Sequence, residues 1–304
     1  MRIKLIFNPT ANLGRAASFL PEIQSVVNAM PDAELNVTLT RGHATELAAR
    51  ASEEGFERVV AMGGDGTTHE VVNGLMSIPE PERPELGIVP IGSGNDFSFA
   101  GGLHGATRDL LDLALHGHSR CVDIGIMRDN LGRAEYWANS LGIGFDALIN
   151  IYSRRIRILK GFWIYLVAAL QTIAFHYTSF RFDAQKDGAA WSDNLIMLIV
   201  ANGQREGGAF MIAPGGRLDD HKLNYSAVSL ITRLQMLNVL TAYMKGTQDR
   251  LPFVKSGSFS SLDLNADRPL IIHADGEILA GLDSQVTHVT IETVPSAIRL
   301  VEHF

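Results

Sequence analysis

Apolar and polar positions in the first part of the chain switch repeatedly between two periods. "RIKLIFNP" (Arg2–Pro9) is a short apolar run that predicts a strand. Arg15–Met30 is amphipathic at helical spacing and stops before Pro31, and "AELNVTLT" alternates as a strand. "HATELAARASEEGF" returns to helical spacing, with Gly55 placed as a C-terminal cap. "RVVAMGG" predicts a strand, "THEVVNGLMS" a helix, "ELGIVPIGSGND" a strand with a glycine loop, and "TRDLLDLALHG" a helix with a glycine stop. Strands alternating with helices of this length predict an α/β domain with a parallel sheet and helices on both faces.

After Cys121 the pattern changes. "CVDIGIMRD" and "AEYWANSLGIGF" read as neighbouring strands with a turn at Asp129-Asn130, and one helical region follows over about 147–177. From Ser179 the segments "SFRFDAQ", "NLIMLIVANG", "KLNYSAVSL", "PLIIHADGEIL" and "HVTIETV" are strand-like, interrupted by one helix near Arg233–Lys245. Consecutive strands predict a β-sandwich as the C-terminal domain. The boundary falls near Arg120–Asp123, giving an α/β domain over 1–122 and a β-rich domain over 123–290.

Composition narrows the class. An apolar fraction of 46% against 19% charged residues gives a substantial core, and a net charge of -7 argues against coating nucleic acid. The lone Cys121 allows no internal disulfide; it fits a reducing, cytoplasmic setting and reads as a small buried residue. "LKGFWIYLVAALQTIAFHY" (Leu159–Tyr177) is too short and too polar at its end to span a membrane, so it reads as a buried or interfacial helix. His43, His69, His104, His116 and His118 lack metal-ligand spacing and read as surface or loop residues.

Ligands of parallel sheets bind beyond the carboxyl ends of the strands. Three polar loops fall there: Asn8-Pro9 with Gly14, Gly63 to Thr67, and Gly92 to Asp96. Glycines let backbone N–H groups approach an anion, and a helix starting near Thr67 adds a favourable dipole. No Gly-x-x-x-x-Gly-Lys-Ser/Thr occurs, and Gly63–Thr67 lacks the third glycine of a dinucleotide fingerprint. Asp65 is the informative residue, because a carboxylate beside phosphate needs a divalent cation or water between them.

"GGDGT" at Gly63–Thr67, "NP" with "GRA" at Asn8–Ala16, and "GSGNDF" at Gly92–Phe97 resemble the catalytic domain of diacylglycerol kinases and related lipid kinases. That group includes bacterial soluble diacylglycerol kinases, YegS-like lipid kinases and sphingosine kinases. The resemblance continues in order through "VDIG" (Val122–Gly125), "NSLGIGFDA" (Asn139–Ala147), "ANG" (Ala201–Gly203), "APGGRLDD" (Ala213–Asp220) and "DGE" (Asp275–Glu277). It implies that Gly64, Asp65, Gly66, Thr67, Thr68, His69 and Glu70 wrap the phosphates of ATP, joined by Ser93, Thr38, and the loop of Asn8, Pro9 and Thr10. It also implies a Mg²⁺–water network on Asp65, Asp96 and Asp123, with Asp275 as the base that takes the acceptor proton and Glu277 beside it. Arg217, Asp220 and Lys222 match a second, structural magnesium site, and the tail 291–304 is implied to return to the first domain.

The chain departs from the pattern in places. His69 replaces an asparagine, Phe99 an arginine, His221 a glycine, and the Asn-Pro to Gly14 spacing is long. In isolation Asp275-Gly276-Glu277 reads as a hairpin turn; the ordered company of the other motifs gives it a catalytic reading. The resemblance implies an ATP- and Mg²⁺-dependent lipid kinase acting on a diacylglycerol-like hydroxyl in an interdomain cleft. An NAD kinase, or a lipid- or nucleotide-binding protein with weakened catalysis, are the alternatives. "YSRRIRILKGFW" clusters Arg154, Arg155, Arg157 and Lys160 beside aromatics, which reads first as a solvated helix face and second as a contact with anionic lipid. The expected partners are a lipid with a free hydroxyl and, peripherally, the membrane, with no nucleic acid and a homodimer left open.

Overall fold

The computed structural model describes residues 1–156 and 162–302. By its internal contacts the chain divides into two units, Met1–Ile124 with Pro295–Phe304, and Gly125–Val294.

The first unit alternates as its hydrophobic periods predict. Its elements are β1 (Ile3–Phe7), α1 (Leu20–Asn28), β2 (Ala33–Val37), α2 (His43–Ala49), β3 (Arg58–Gly63), α3 (Asp65–Met76), β4 (Glu85–Pro90), α4 (Asp96–Ala100), α5 (Thr107–His116) and β5 (His118–Asp129), which runs on into the second unit. The strands pair in the order β2-β1-β3-β4, all parallel. Every residue of β3 is buried, as expected of a central parallel strand covered on both faces. The segment read as one helix over Arg15–Met30 is a 3-10 turn at Arg15–Phe19 followed by α1, because Pro21 can occupy only a first helical turn. α2 ends at Ala49, before the predicted cap, and Gly55 sits in a later turn at φ +79°.

Arg58 opens β3 inside the protein. Its guanidinium donates to Glu85 Oε2 at 2.6 and 3.0 Å and to the carbonyls of Ala114, Leu115 and Gly117. It therefore ties the start of two central strands to the end of α5. The Glu85 carboxyl is pushed up by burial, but Ser119 and Arg58 outweigh that and hold it below its ordinary value.

The second unit is built from β6 (Ala134–Trp137), β7 (Ser140–Gly144), α6 (Phe145–Ser153), α7 (Phe162–Phe175), β8 (Phe180–Lys186), β9 (Ala189–Ala201), β10 (Leu223–Ser229), α8 (Arg233–Lys245), β11 (Val254–Phe259), β12 (Ser261–Ala266), β13 (Ile272–Ala274), β14 (Glu277–Ala280) and the first half of β15 (His288–Glu302). Its strands are antiparallel throughout. β9 organises them: its first half pairs with β8, its second half with β7 on one edge and β10 on the other. Leu195, Leu198 and Val200 of β9 enter a core with Trp137, Phe182 and Phe259, while Met197, Ile199 and Ala201 pack against α6, α7 and α8. Two buried faces explain the unbroken apolar run "LIMLIVA". The helical region expected over 147–177 is two helices, and Phe145 already belongs to the first. β15 then runs into the first unit, where Leu300 pairs in parallel with Leu86 of β4.

Two expectations are corrected here. Cys121 is exposed, since it lies in the outer part of β5 before the strand's buried run begins at Val122. His69 is buried, because it falls on the inner face of α3.

Replacing Arg58 by Met should lower the free energy of unfolding by about 3–5 kcal/mol, because the half-buried Glu85 carboxylate and three carbonyls lose their donor. Urea denaturation followed by circular dichroism measures it; a loss below about 1 kcal/mol contradicts this role.

Candidate functional site

β1, β3 and β4 are neighbours, and the first two mark the place where the strand order reverses. Their following loops carry the polar motifs. Asn8 donates its backbone N–H to Met62 O at 2.9 Å and its side-chain N–H to Thr67 Oγ1 at 2.9 Å. Its Oδ1 accepts the Thr10 N–H at 3.0 Å and the Thr10 hydroxyl at 2.8 Å, which closes the loop around the half-buried Pro9. Thr38 extends the β1–β2 pairing by donating its N–H to Phe7 O at 2.8 Å.

The loops after β3 and β4 touch through glycines. A side chain on Gly92 would collide with the Cα of Gly64, so the backbones approach as closely as backbones can. Asp65 then stitches them together. Its Oδ2 accepts the Asn95 N–H at 2.7 Å and its Oδ1 the Asp96 N–H at 2.6 Å, at the start of α4. Asn95 holds φ +53° and bonds back to both the N–H and the carbonyl of Gly92. A Cβ on Gly94 would meet Asp65 Oδ2 at 2.6 Å and Asp96 Oδ2 at 3.3 Å, so the two carboxylates flank that glycine. Asp123, fully buried on β5, accepts the Ser296 N–H at 2.8 Å.

Other residues of the first motif are turned to structural use. Gly64, Asp65 and Gly66 are half-buried at the start of α3 and Ser93 is exposed at the tip of its loop, whereas Thr67, Thr68 and His69 are buried. Asn73 donates to His69 O at 3.0 Å and lies 3.4 Å from its Nε2. Glu70 accepts the N–H groups of Gly42 at 2.9 Å and Ala44 at 3.1 Å, capping α2.

In the second unit Asp275 occupies the β13–β14 turn at φ +47°. Its carboxylate accepts three backbone N–H groups, from Ala138 at 2.8 Å, Asn139 at 2.8 Å and Ser140 at 3.1 Å. Glu277 is paired with Arg154, which also donates to Gly276 O. Arg154 thus belongs to this turn; Arg157 and Lys160 of the same basic cluster lie outside the described residues. Asp220 accepts the Lys222 N–H at 3.1 Å and Arg217 pairs with Asp219 at 3.1 Å in an exposed loop. His221 holds φ +60° there, a conformation that favours glycine, so the loop keeps its shape despite the side chain.

A cluster with no predicted role lies beside the Asp275 turn. His273, fully buried on β13, places Nε2 2.7 Å from Asp146 Oδ2 and 3.2 Å from Glu206 Oε1. A side chain on Gly142 would occupy the space where Asp146 and His273 meet. Burial pulls the His273 imidazole down, but Glu206, Asp146 and, more weakly, Asp275 raise it to about 9. Its Nδ1 faces the Gly276 N–H at 3.3 Å, a contact that turns repulsive in the imidazolium and that the two carboxylates outweigh. Sequence spacing hides the cluster, since its members sit at positions 146, 206 and 273; only the run around Asp146 carried a motif.

Asp146 and Glu206 also line a recess with a cavity volume of about 60 Å³. The rest of the wall is mostly apolar, with Ala169 and Ile173 from α7, Met197 and Ile199 from β9, and Met236 and Val239 from α8. The Tyr243 hydroxyl in that wall bonds Ser226 at 2.6 Å, and burial pushes it well above its ordinary value, so it stays neutral.

An α/β unit with glycine loops at its switch point is followed by an antiparallel β-rich unit, and both halves match known families. Residues 2–127 match the family model for the diacylglycerol kinase catalytic domain, and residues 139–302 that for the YegS C-terminal NAD kinase beta sandwich-like domain. A protein of Chromohalobacter salexigens named "Probable lipid kinase YegS-like" is 31% identical over 87% of this chain and 84% of its own length. A "Diacylglycerol kinase" of Staphylococcus carnosus is 26% identical over 91% of this chain and 88% of its own. In fold, the crystal structure of a diacylglycerol kinase from Bacillus anthracis aligns over 99% of this chain and 97% of that one, with a TM-score of 0.72 at 20% identity. The chain belongs to the diacylglycerol kinase and YegS-like lipid kinase family.

The raised His273 predicts a pH effect. Its ion pairs contribute fully below about pH 6.5 and are lost as the pH rises through about 9. The melting temperature of the wild type should therefore fall over that interval relative to His273→Gln, whose amide does not titrate. Parallel melting curves of the two proteins would place the titration elsewhere.

Proposed function

We propose that the protein transfers the γ-phosphoryl group of ATP to the free hydroxyl of a diacylglycerol-like lipid. The observation that carries this reading is the apolar recess of the second unit, whose mostly apolar wall also contains the carboxylates of Asp146 and Glu206, as suits an acyl chain with a hydroxyl-bearing head. A dinucleotide acceptor such as NAD is polar along its length and is disfavoured by those walls.

The residues of the first unit fit a nucleotide with a divalent ion. The glycine-lined backbone at the start of the 12-residue α3, at the positive end of the helix dipole, suits phosphate oxygens. Gly64 to Gly66 and the Gly92–Gly94 loop would receive the phosphates, with Asn8, Pro9, Thr10, Thr38 and Ser93 at the rim. Asp65 and Asp96 flank Gly94 and would hold Mg²⁺ through water together with Asp123. The ion, when bound, neutralises charge on the phosphates. The buried Thr68 and His69 and the capping Glu70 support that site by fixing α3 and α2.

Asp275 would accept the proton of the lipid hydroxyl. Three backbone donors fix its carboxylate in one orientation, and Arg154 with Glu277 braces the turn. Phosphoryl transfer passes through a loose transition state in which positioning dominates, so an oriented acceptor matters more than a strong base. The Arg217–Lys222 loop offers the Asp220 carboxylate and backbone carbonyls to a structural magnesium ion.

The decisive measurement is ³²P transfer from labelled ATP to diacylglycerol in mixed micelles, with NAD as the competing acceptor. Label should appear in the lipid, and Asp275→Asn should reduce the rate about 10²- to 10⁴-fold. Full activity in that variant would remove Asp275 as the base, and label on NAD alone would overturn the lipid reading.

A second variant tests the recess. Ile173→Trp should raise KM for a long-chain diacylglycerol about tenfold or more while leaving KM for ATP unchanged. Unaltered lipid kinetics would place the acceptor elsewhere.

A further inference from the structure

The Asp146–Glu206–His273 cluster occupies a place in the fold that stability alone does not explain. Charged groups gathered in an interior often hold a protein together no better than apolar side chains of similar volume. Their position suits another task. Asp275 is held by the N–H groups of Ala138, Asn139 and Ser140, and Ser140 opens β7. β7 meets β13, the strand that leads into the Asp275 turn, over three residue pairs, with His273 opposite Gly142 at the centre. A ladder this short in a strand that reads Ser-Leu-Gly-Ile-Gly specifies its register weakly by itself.

The cluster pins that register. A side chain on Gly142 would collide with both Asp146 and His273; without one, the imidazole reaches Asp146 in the first turn of α6, the helix that continues directly from β7. Glu206 holds the same ring from the loop after β9. That loop is bound in turn to the segment that supplies the donors. Asn202 donates its side-chain N–H to Ala138 O at 2.8 Å, and the Gly203 N–H reaches Asn139 O at 3.0 Å. Asn139 donates its own side-chain N–H to Arg205 O at 2.9 Å. On its other side the ring faces the Gly276 N–H, next to Asp275. His273 thus joins the strand that carries Asp275 to the two segments that place its donors.

We propose that His273, gripped by Asp146 and Glu206, is a positioning residue for Asp275: it keeps the β13–β14 turn in register with the three backbone donors, so that the carboxylate holds one orientation while it takes the proton of the acceptor hydroxyl. The proposal rests on the reading of Asp275 as the base. The grip is electrostatic and depends on the charge of the ring. The charged groups that face it are Glu206 from the loop after β9, Asp146 from α6 and, more weakly, Asp275 itself. Tyr243 of α8, near the same two carboxylates, stays neutral. Once the ring loses its proton the carboxylates have no cation between them, and the turn is held by its short ladder and backbone bonds.

The test is steady-state ³²P transfer to diacylglycerol in detergent micelles, with ATP and lipid each varied. His273→Gln should lower kcat about 10²-fold, the effect of a misplacement of about 1 Å, and leave both KM values within about twofold. Gly142→Ala keeps every charge but fills the gap, and should lower kcat in the same manner. Wild-type kcat should fall as the pH rises through about 9, and the profile of His273→Gln should lack that limb. In an Asp275→Asn background, His273→Gln should remove no further activity, because no carboxylate is left to position. Arg58→Met, which weakens the other unit, should keep the wild-type kcat and so serves as the control for lost stability. Wild-type kcat in His273→Gln, the same alkaline limb in that variant, or losses that multiply in the double variant would each overturn the proposal. An active wild type with full activity in Asp275→Asn removes the base, and this proposal with it. A wild type that transfers no label to any lipid is a different result, in which the kinase reading itself falls and takes the proposal down.

Discussion

Backbone N–H groups at the starts of helices and in tight turns need acceptors, and this chain supplies them with carboxylates. Asp65 takes two N–H groups where α4 begins, Glu70 two where α2 begins, and Asp275 three from the Ala138–Ser140 run. Each bond joins segments far apart in sequence, so each acid sets the relative position of two loops. Charge-assisted bonds of this kind are stronger than neutral ones. The glycine motifs make room for the loops to meet; the acids beside them keep the loops together. Oriented backbone and electrostatic charge are the two demands of phosphoryl transfer, and under the proposed function the same side chains would serve both.

The alternation of the first unit was legible because strands and helices there have unmixed periods and glycine or proline stops. The second unit was less so. β11 and β12 were not predicted, since both are short and "VKSGSF" is rich in Ser and Gly, and the place of "VKSGSF" and "SLDLNA" comes from pairing with β10, β8 and β15. The region over about 147–177 was read as a single helix where the chain makes two, α6 and α7. The exposure of Cys121 reflects a strand that leaves the core part-way, which residue type does not reveal.

The candidate site divides in the same manner. Loops that are contiguous in sequence could be read directly, and Asp65, Asp96 and Gly92 stand together in one unit. The burial of His69 depends on which face of α3 meets the protein interior. The Asp146–Glu206–His273 cluster comes from three separate segments, so it appears only when β7, β9 and β13 are side by side. His273 also shows how burial and charge compete: desolvation favours the neutral ring, and two nearby carboxylates reverse that preference.

β15 gives the chain an order of assembly. The partner of β4 on the far side from β3 lies some two hundred residues later, at Leu300 opposite Leu86. A ribosome adding about 5–20 residues per second makes the intervening unit over roughly 10–40 seconds. Throughout that time the nascent first unit has a bare parallel edge, open to pairing with other chains. The first unit is thus the first to be synthesised and the last to be finished, and chaperones have most to protect at its unfilled edge.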